Sequence, residues 1–328
     1  MPRAFLIDTD TASDDAVALL MALRHPDVEV VAVTVVSGNV PVDQGVANAL
    51  LTVELAGARV PVYRGAAAPL ARPAVYAYWF HGRDGLGDMG YPPARSAAAP
   101  GEAAEAIVRA ARQHPGLTLV TLGPLTNLAR ALERDPGLPR RVGRCVVMGG
   151  AACTVGNVTP AAEFNLFVDP EAAQRVFLSG LPLEMVGWEL CRGAANLTET
   201  EMAEIRALGT PLADFTLDCN RTAIEANRAQ SGDPGMALPD PVAMAIALDP
   251  GVCTRRGEHY VQVETASELT RGMTVVDALD VTHDERNAPV WGELRRRPPN
   301  VTVCWEIDVA AWKRSLRAAL APAAERVS

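Results

Sequence analysis

Residues 4–23 read AFLIDTDTASDDAVALLMAL, and this stretch decides the fold class. Residues 4–7 form a short apolar run that is typical of a buried strand, and residues 16–23 repeat apolar side chains at helix spacing. Four carboxylates lie between and around these runs: Asp8, Asp10, Asp14 and Asp15. A buried strand that passes through an acidic turn into a helix indicates a parallel α/β fold.

The alternation of apolar runs and helical patterns continues along the chain. Residues 28–36 are β-branched and nearly all apolar, as expected of a central strand that is covered on both faces. Further strands are predicted at residues 60–63, 117–121, 145–148 and 183–186, and helices at 42–55, 102–113, 125–132 and 170–178. We therefore predict a single α/β domain over residues 1–328, with a mostly parallel, Rossmann-like open sheet and helices on both faces.

The composition excludes several classes of protein. Of the 328 residues, 49% are hydrophobic and the net charge is −9, which argues against a nucleic-acid partner. No apolar run approaches the length of a membrane span, and the first residues do not resemble a signal peptide. The six cysteines lack CxxC spacing, so a disulfide framework or a zinc site is not expected. We expect a cytoplasmic protein with neither a membrane nor a nucleic-acid partner.

Polar residues follow several of the predicted strands at the point where each strand ends. Asp8 and Asp10 follow the first strand, and residues 37–39, 123–127 and 148–150 follow later ones. Because ligands bind at the carboxyl ends of the strands in open parallel sheets, we expect one site at this edge.

The acidic segment after the first strand favours a metal site. Carboxylates at this density repel one another unless protons or a cation neutralise them. Hard oxygen ligands select calcium or magnesium rather than zinc. Helix capping by Ser13, with Asp14 and Asp15 in the first turn, is the structural alternative. Capping does not explain Asp8 and Asp10.

Two other segments are rich in groups that could contact a substrate. Residues 156–165 offer two amides, a hydroxyl and a carboxylate, which are the groups needed to bind sugar hydroxyls. Residues 76–91 combine His81 with several aromatic side chains and glycines. That pattern fits either a lid that closes over a ligand or a hydrophobic anchor for a long surface loop.

Taken together, these segments resemble the inosine–uridine nucleoside hydrolase family. Residues 8–15 match its DxDxxxDD signature, and Gly38-Asn39 and residues 123–129, 148–150 and 156–165 match its later blocks in order. Residues 81–87 look like its mobile active-site loop, and residues 263–265, 271–274 and 299–301 resemble its C-terminal segments. The resemblance spans nearly the whole chain.

The resemblance implies a calcium-dependent enzyme that hydrolyses the N-glycosidic bond of ribonucleosides to free base and ribose, in nucleoside salvage. The implied calcium ligands are Asp10, Asp15, Asp240 and the backbone carbonyl of Thr126. Asp10 would also accept a proton from the water that the calcium activates. The ribose hydroxyls would be bound by five residues: Asp14, Asn39, Asn157, Glu163 and Asn165. We expect a homodimer or a homotetramer.

The sequence departs from the family pattern around the leaving group. Many members carry a histidine just before the last calcium aspartate, and this chain has Pro239 there. Proline has no side-chain donor, so we predict that His81 or Trp188 assists the departing base. Thr11-Ala12 replaces the family's Pro-Gly, and residues 187–191 replace its Asp-Val-Thr ending.

Three other interpretations remain open from the sequence. A haloacid-dehalogenase-like phosphohydrolase also begins with DxD, but its chemistry needs a lysine and the only lysine is Lys313 near the C-terminus. A catalytically silent nucleoside-binding protein would not need a water-activating base. Pro239 keeps open a hydrolase of an unusual nucleoside or base conjugate.

Overall fold

The computed structural model describes residues 2–232, 234–292 and 297–322. Its strands are β1 (Arg3–Thr9), β2 (Val28–Val35), β3 (Val62–Arg64), β4 (Leu117–Thr121), β5 (Val142–Met148), β6 (Leu183–Val186), β7 (Cys253–His259), β8 (Val261–Val263), β9 (Thr274–Val276) and β10 (Val301–Ile307). Eight of these form the main sheet in the order β3-β2-β1-β4-β5-β6-β10-β7, while β8 and β9 form a separate antiparallel pair. In the main sheet only β7 pairs antiparallel. The predicted mostly parallel α/β sheet is confirmed.

Helices cover both faces of the sheet. They are α1 (Ser13–Leu23), α2 (Val42–Leu55), α3 (Tyr78–His81), α4 (Ala103–Gln113), α5 (Thr126–Arg134), α6 (Phe164–Val168), α7 (Pro170–Phe177), α8 (Glu199–Arg206), α9 (Pro211–Cys219), α10 (Arg221–Ser231), α11 (Pro239–Leu248), α12 (Ala288–Trp291) and α13 (Val309–Leu320). Within the described ranges, none of them is both long and apolar enough to cross a membrane.

Strand β1 shows why the sheet is buried on both faces. Phe5 and Ile7 pack into the core that contains α1, α11 and α13, whereas Leu6 packs into the core that contains α4, α5 and α7. Successive side chains of a strand point to opposite faces, so an unbroken apolar run supplies both cores at once. The apolar first strand therefore requires helices on both sides.

The first helix begins earlier than the periodicity predicts. Helix α1 starts at Ser13 rather than at residue 16, and Ser13 is not its cap. The backbone N–H of Ala12 instead donates to Asp15 Oδ2 at 2.9 Å, while the Ser13 hydroxyl bonds to His81 Nδ1 at 2.9 Å. The capping interpretation of Ser13 is therefore wrong, because its hydroxyl is engaged in the site.

The C-terminal strands were not predicted. Strand β7 reads CTRRGEH and lies at the edge of the sheet, where one side of the strand faces solvent. Most of its residues are polar, so the strand lacks the apolar run that marks an interior strand. Strand β10 pairs parallel with β6 and antiparallel with β7, so it joins the edge strand to the parallel part of the sheet.

The order of the strands reverses between β1 and β4, since β2 and β3 lie beyond β1 while β5 and β6 lie beyond β4. A crevice opens at the carboxyl ends of the strands on either side of such a switch point. Strand β1 ends at Thr9, directly before Asp10, and β4 ends at Thr121, directly before Leu122 and Gly123. The fold thus brings the acidic turn to the edge where a ligand binds.

Candidate active site

Three buried carboxylates converge beside the end of β1. Asp14 and Asp15 lie in the first turn of α1, and Asp240 lies in the first turn of α11, which packs against α1. One oxygen from each carboxylate lies within 4.8 Å of the oxygens of the other two. Helix N-termini stabilise negative charge, so this arrangement partly offsets the repulsion among the three groups.

Asp10 lies next to this cluster in a tightly packed position. Its Oδ2 accepts a hydrogen bond from the backbone N–H of Asn39 at 2.5 Å, whereas its buried Oδ1 has no hydrogen-bond partner. A Cβ atom at Gly38 would lie 2.1 Å from Asp10 Oδ2, and one at Gly123 would lie 2.6 Å from Oδ1. Both glycines are therefore needed so that two loops can close over this carboxylate.

The electrostatics of the cluster disfavour four negative charges. Burial raises the pKa of Asp14 to about 6, and burial together with the charge of Asp14 raises the pKa of Asp15 to about 6. Burial and the neighbouring carboxylates also raise the pKa of Asp10 and of Asp240 well above the ordinary range. Without a counter-charge, the site holds protons that an exposed aspartate would lose.

A divalent cation fits this donor set. The buried oxygens Asp10 Oδ1 and Asp14 Oδ1 have no hydrogen-bond partner, and a cation would satisfy both their charge and their lone pairs. All the side-chain donors are carboxylate oxygens, which are hard ligands. The structure groups Asp14 with Asp15 and Asp240, although the expected ligand set contained Asp10 in its place. The Asp10 carboxylate lies beside this group, with its Oδ2 held by the Asn39 N–H.

The cation-free protein is expected to lose stability as the pH rises from about 4 to about 7. Because the pKa of Asp14 and Asp15 (about 6) and of Glu163 (about 7) lies above the unfolded values of 3.8 and 4.5, the folded state binds more protons in this window. His81 makes the opposite contribution to the pH dependence of stability, because burial lowers its pKa to about 4. It is a single group, so the carboxylates determine the direction of the change.

Thermal unfolding in a chelator should therefore give a higher Tm at about pH 5 than at about pH 7.5. Millimolar calcium should raise the Tm most at the higher pH, because the ionised carboxylates bind the cation. A Tm that is unchanged by calcium at both pH values would argue against a cation site.

Thr126 occupies the first position of α5, and its side chain is fixed by a buried aspartate. The Thr126 hydroxyl donates to Asp169 Oδ2 at 2.6 Å, and Asp169 also accepts from the backbone N–H groups of Leu70 and Ala172. Asp169 caps α7 and is fully buried. This contact holds the start of α5, and with it the backbone carbonyl that is the expected fourth ligand.

Thr126→Val is expected to weaken calcium binding about tenfold, since losing a group that orients a ligand typically costs that much or more. The measurement is calorimetric titration of the chelator-treated protein with calcium. Thr52→Val is a matched control, because the buried Thr52 hydroxyl bonds to a helix carbonyl in α2, away from the site. Equal calcium affinity in the two variants would contradict the role of this contact.

A cavity opens directly above the carboxylates. The cavity together with its open mouth takes up about 610 Å³. All five residues expected to bind ribose line it: Asp14, Asn39, Asn157, Glu163 and Asn165. Its wall also includes His81, Trp188, Pro239 and Asp240. The structure therefore brings residues from widely separated segments of the chain into one cavity.

Several polar side chains of the wall are held in place by backbone groups. Asn165 donates through Nδ2 to the carbonyls of Leu122 (2.8 Å) and Met148 (3.3 Å). Glu163 caps α6 and accepts from the backbone N–H groups of Asn165 and Gly150 at 2.8 and 2.9 Å. Burial raises the pKa of Glu163 to about 7. These contacts fix the side chains before a ligand binds.

His81 lies at the end of α3, against the acidic cluster. Its Nδ1 bonds to the Ser13 hydroxyl at 2.9 Å and lies 3.8 Å from Asp14 Oδ1, too far for a hydrogen bond. Burial lowers the pKa of His81 to about 4, so the imidazole is neutral at pH 7. It can donate a hydrogen bond through its N–H, but it is not a charged acid.

The segment after His81 is tied to the body of the protein. Asp84 and Asp88 accept hydrogen bonds from backbone N–H groups of this segment. The Asn48 amide donates to the carbonyls of Thr11 and Asp84, both at 2.9 Å. The Tyr91 ring packs on Phe215 with centroids 5.1 Å apart, as expected of an anchor. Only the first part of the aromatic segment, around Trp79 and Phe80, lines the cavity.

Trp188 and Pro239 lie in the part of the cavity wall that is formed by the 3₁₀ turn Trp188–Cys191 and by α11. Trp188 begins a short 3₁₀ turn after β6 and is 5% exposed, and the Arg192 guanidinium lies 5.5 Å from its ring centroid. Pro239 is the first residue of α11, where a missing backbone N–H costs no helix bond. The position expected for a histidine is thus in the wall but holds no donor.

Sequence reasoning missed one polar residue of the wall. Asn227 of α10 does not line the cavity, because it is buried and its amide donates to the Gly235 carbonyl. One turn later on α10, Gln230 lines the cavity and donates to the Asn157 backbone carbonyl. The sequence carries no signal for Gln230, because α10 shows no clear amphipathic pattern around it.

Carboxylates grouped at a sheet switch point, beneath a cavity walled by amides and carboxylates, are the groups that a glycosidase acting on a sugar-bearing small molecule requires. The chain belongs to the inosine–uridine preferring nucleoside hydrolase family, whose model matches residues 5–314. It is therefore a ribonucleoside hydrolase, an enzyme that acts on N-glycosyl compounds. Lys313 donates to Glu201 and the Asn196 carbonyl, so it is not part of a phosphate site.

Similar proteins extend over nearly the whole chain. A pyrimidine-specific ribonucleoside hydrolase RihA of Shewanella sp. (strain MR-7) is 39% identical over 293 residues, covering 88% of this chain and 91% of the relative. An uncharacterized protein of Schizosaccharomyces pombe is 37% identical over 306 residues, covering 92% of this chain and 94% of the relative. Among solved structures, the plant nucleoside hydrolase PpNRh1 aligns with a TM-score of 0.88 at 29% identity, covering 98% of this chain and 99% of that chain. An inosine-guanosine nucleoside hydrolase aligns with a TM-score of 0.87 at 32% identity, covering 97% of this chain and 98% of that chain.

Proposed function

We propose that this enzyme hydrolyses the N-glycosidic bond of ribonucleosides to free base and ribose in nucleoside salvage, and that it depends on calcium. The observation that supports the proposal is that the five side chains expected to bind ribose, Asp14 among them, line one cavity at the carboxylate cluster. Asp10, Asp15, Asp240 and the Thr126 carbonyl would hold the cation. Calcium suits this set because it accepts six to eight oxygen ligands, among which ribose hydroxyls can be counted.

The cation, when bound, would lower the pKa of a coordinated water and so make it a better nucleophile at neutral pH. Asp10 accepts the proton of the attacking water at its unpartnered Oδ1, while the water oxygen bonds to C1′ and the bond from C1′ to the base breaks. The Asn39 N–H on Oδ2 keeps the carboxylate in one orientation during this transfer.

The ribose-binding residues act on the charge that develops in the sugar. Cleavage passes through an oxocarbenium-like ribose, and negative or partly negative oxygens around the ring stabilise it. Asp14 and Glu163 supply carboxylates, and the amides of Asn39, Asn157 and Asn165 complete the set of groups that contact the hydroxyls. Since backbone contacts already fix Asn165 and Glu163, little rotamer freedom is lost on binding.

We assign help for the departing base to His81 and Trp188, because Pro239 has no donor. His81 is neutral at pH 7, so it assists by hydrogen bonding through its N–H rather than as an imidazolium. Trp188 offers an indole in the cavity wall on which a base can stack. Both roles concern only the leaving group.

His81→Ala and Trp188→Ala are expected to slow a natural nucleoside far more than p-nitrophenyl riboside, whose leaving group needs no acid. A difference of about tenfold or more in the loss of kcat/KM between the two substrates is expected. Asn157→Ala is the control, because loss of a ribose contact should slow both substrates alike. Wild-type rates for both variants on the best natural nucleoside would show that other residues assist the base.

The experiment that tests the function is product analysis with a panel of purine and pyrimidine ribonucleosides. Release of reducing sugar together with the free base is expected from the wild-type enzyme. A protein that binds nucleosides in calorimetric titration but releases no sugar would instead be the silent nucleoside-binding protein, and the proposal would fail.

A further inference from the structure

A shallow groove lies beside the active-site cavity, between α3 and α10. Its walls are formed by Trp79, Thr222, Glu225, Ala226, Ala229 and Gln230. Trp79 and Gln230 also line the active-site cavity, so the two spaces adjoin at these residues. A ligand group that leaves the cavity past these two side chains would therefore enter the groove.

One wall of the groove is an aromatic ring that the fold leaves uncovered. Trp79 is 59% exposed, and its ring meets Phe80 only at the edge, with centroids 5.4 Å apart. By contrast, Tyr91 of the same segment packs on Phe215. An exposed indole at the mouth of a binding cavity offers a large apolar surface to a ligand group.

The opposite wall is one face of α10. Thr222, Ala226 and Ala229 recur at the three- and four-residue spacing of a helix face, and the two alanines leave room opposite the indole. None of the six groove residues carries a positive charge, and Glu225 is acidic. The groove therefore suits a flat apolar group and disfavours a phosphate.

The groove adjoins the side of the cavity assigned to the base. Helix α3 carries Trp79 and Phe80 into the cavity wall together with His81, which we place beside the departing base. Asp14 and Asp240, on the first turns of α1 and α11, line the cavity but not the groove. A group that passes Trp79 into the groove is thus assigned to the base.

We infer that this groove binds an apolar, preferably aromatic, substituent on the base of the ribonucleoside. The inference rests on the proposed function and extends it from simple ribonucleosides to base-substituted ones. Packing the substituent against Trp79 and the alanines removes apolar surface from water and favours binding, so the substituted nucleoside is hydrolysed at least as well as its parent.

The test compares matched pairs of substrates: adenosine with N6-benzyladenosine, and cytidine with N4-benzylcytidine. For the wild-type enzyme, kcat/KM of the benzylated member should equal or exceed that of the parent in at least one pair. Ala229→Trp fills the groove at an exposed position and should lower kcat/KM of that benzylated member about ten- to hundredfold. The parent should change less than about twofold. Ala203→Trp, at an exposed position on α8 outside the groove, is the matched control and should change neither.

Three outcomes would overturn the inference. They are a wild-type enzyme that cleaves the parents but neither benzylated nucleoside, an Ala229→Trp variant that slows both members of a pair equally, and an Ala229→Trp variant that slows neither. A fourth outcome would overturn the assignment to the base. If Ala229→Trp lowers kcat/KM for a 5′-benzylthio ribonucleoside but not for the base-substituted ones, the groove binds the 5′ substituent. Failure of the wild-type enzyme to cleave any of the parents would instead contradict the proposed function itself.

Discussion

Asp10→Asn is expected to lower kcat by about two to four orders of magnitude, which is the usual effect of removing a general base. The substitution keeps the shape of the side chain and its acceptor for the Asn39 N–H. It replaces the unpartnered Oδ1, which is the atom proposed to take the proton, with an amide that cannot take one. The loss should therefore appear in kcat more than in KM.

The fold of the Asp10→Asn variant should be unaffected. Gly38 and Gly123 still close over a side chain of the same size, and one of several mutually repelling buried carboxylates is removed. In a chelator the Tm of the variant should therefore equal or exceed that of the wild type. Asp43→Asn is the matched control, because Asp43 forms only an exposed ion pair with Arg64. A correctly folded Asp10→Asn enzyme with near-normal kcat would exclude the mechanism.

Removing the 2′-hydroxyl from the substrate should have an effect of similar size. A buried site that binds a hydroxyl rejects an analogue without it, because the polar groups of the site are left unpaired. Asp14 Oδ1 is buried and has no partner in the protein. The Asn165 Nδ2 already donates to two backbone carbonyls, which fixes the side chain and leaves its Oδ1 to accept from a hydroxyl. Asn165 cannot turn to another partner when the hydroxyl is missing.

We therefore expect kcat/KM for 2′-deoxyuridine or 2′-deoxyinosine to be on the order of ten-thousandfold below that of the matching ribonucleoside. Measuring both pairs under the same calcium concentration separates the effect of the sugar from that of the base. Equal turnover of a ribonucleoside and its deoxy analogue would contradict the assignment of this cavity to ribose.

The site could be predicted from the sequence wherever its residues follow strands. Asp10 comes directly after the end of β1, Asn39 lies in the loop after β2, and parallel strands bring their carboxyl ends to one edge. The residues within 157–165 that are expected to bind ribose form one short stretch, so the family motif located them together. Asp10 and Asn39 depend on local sequence order and topology, which is why they could be placed without coordinates.

Other parts of the site depend on packing between distant segments. The contact between Thr126 and Asp169 joins two helices, and Gln230 reaches the wall only because α10 packs against α3. The neutral state of His81 follows from its burial, which the exposed aromatic residues around it do not indicate. Strand β7 was missed because an edge strand tolerates polar residues on its open side.

The central claim is that the carboxylate cluster binds one cation on which turnover depends. The most direct test is to remove metal with a chelator, add calcium back in steps, and measure bound calcium and ribose release in the same samples. We expect activity to be lost in the chelator and to return in proportion to bound calcium, up to one ion per chain. Full turnover by enzyme that contains no bound metal would contradict the account.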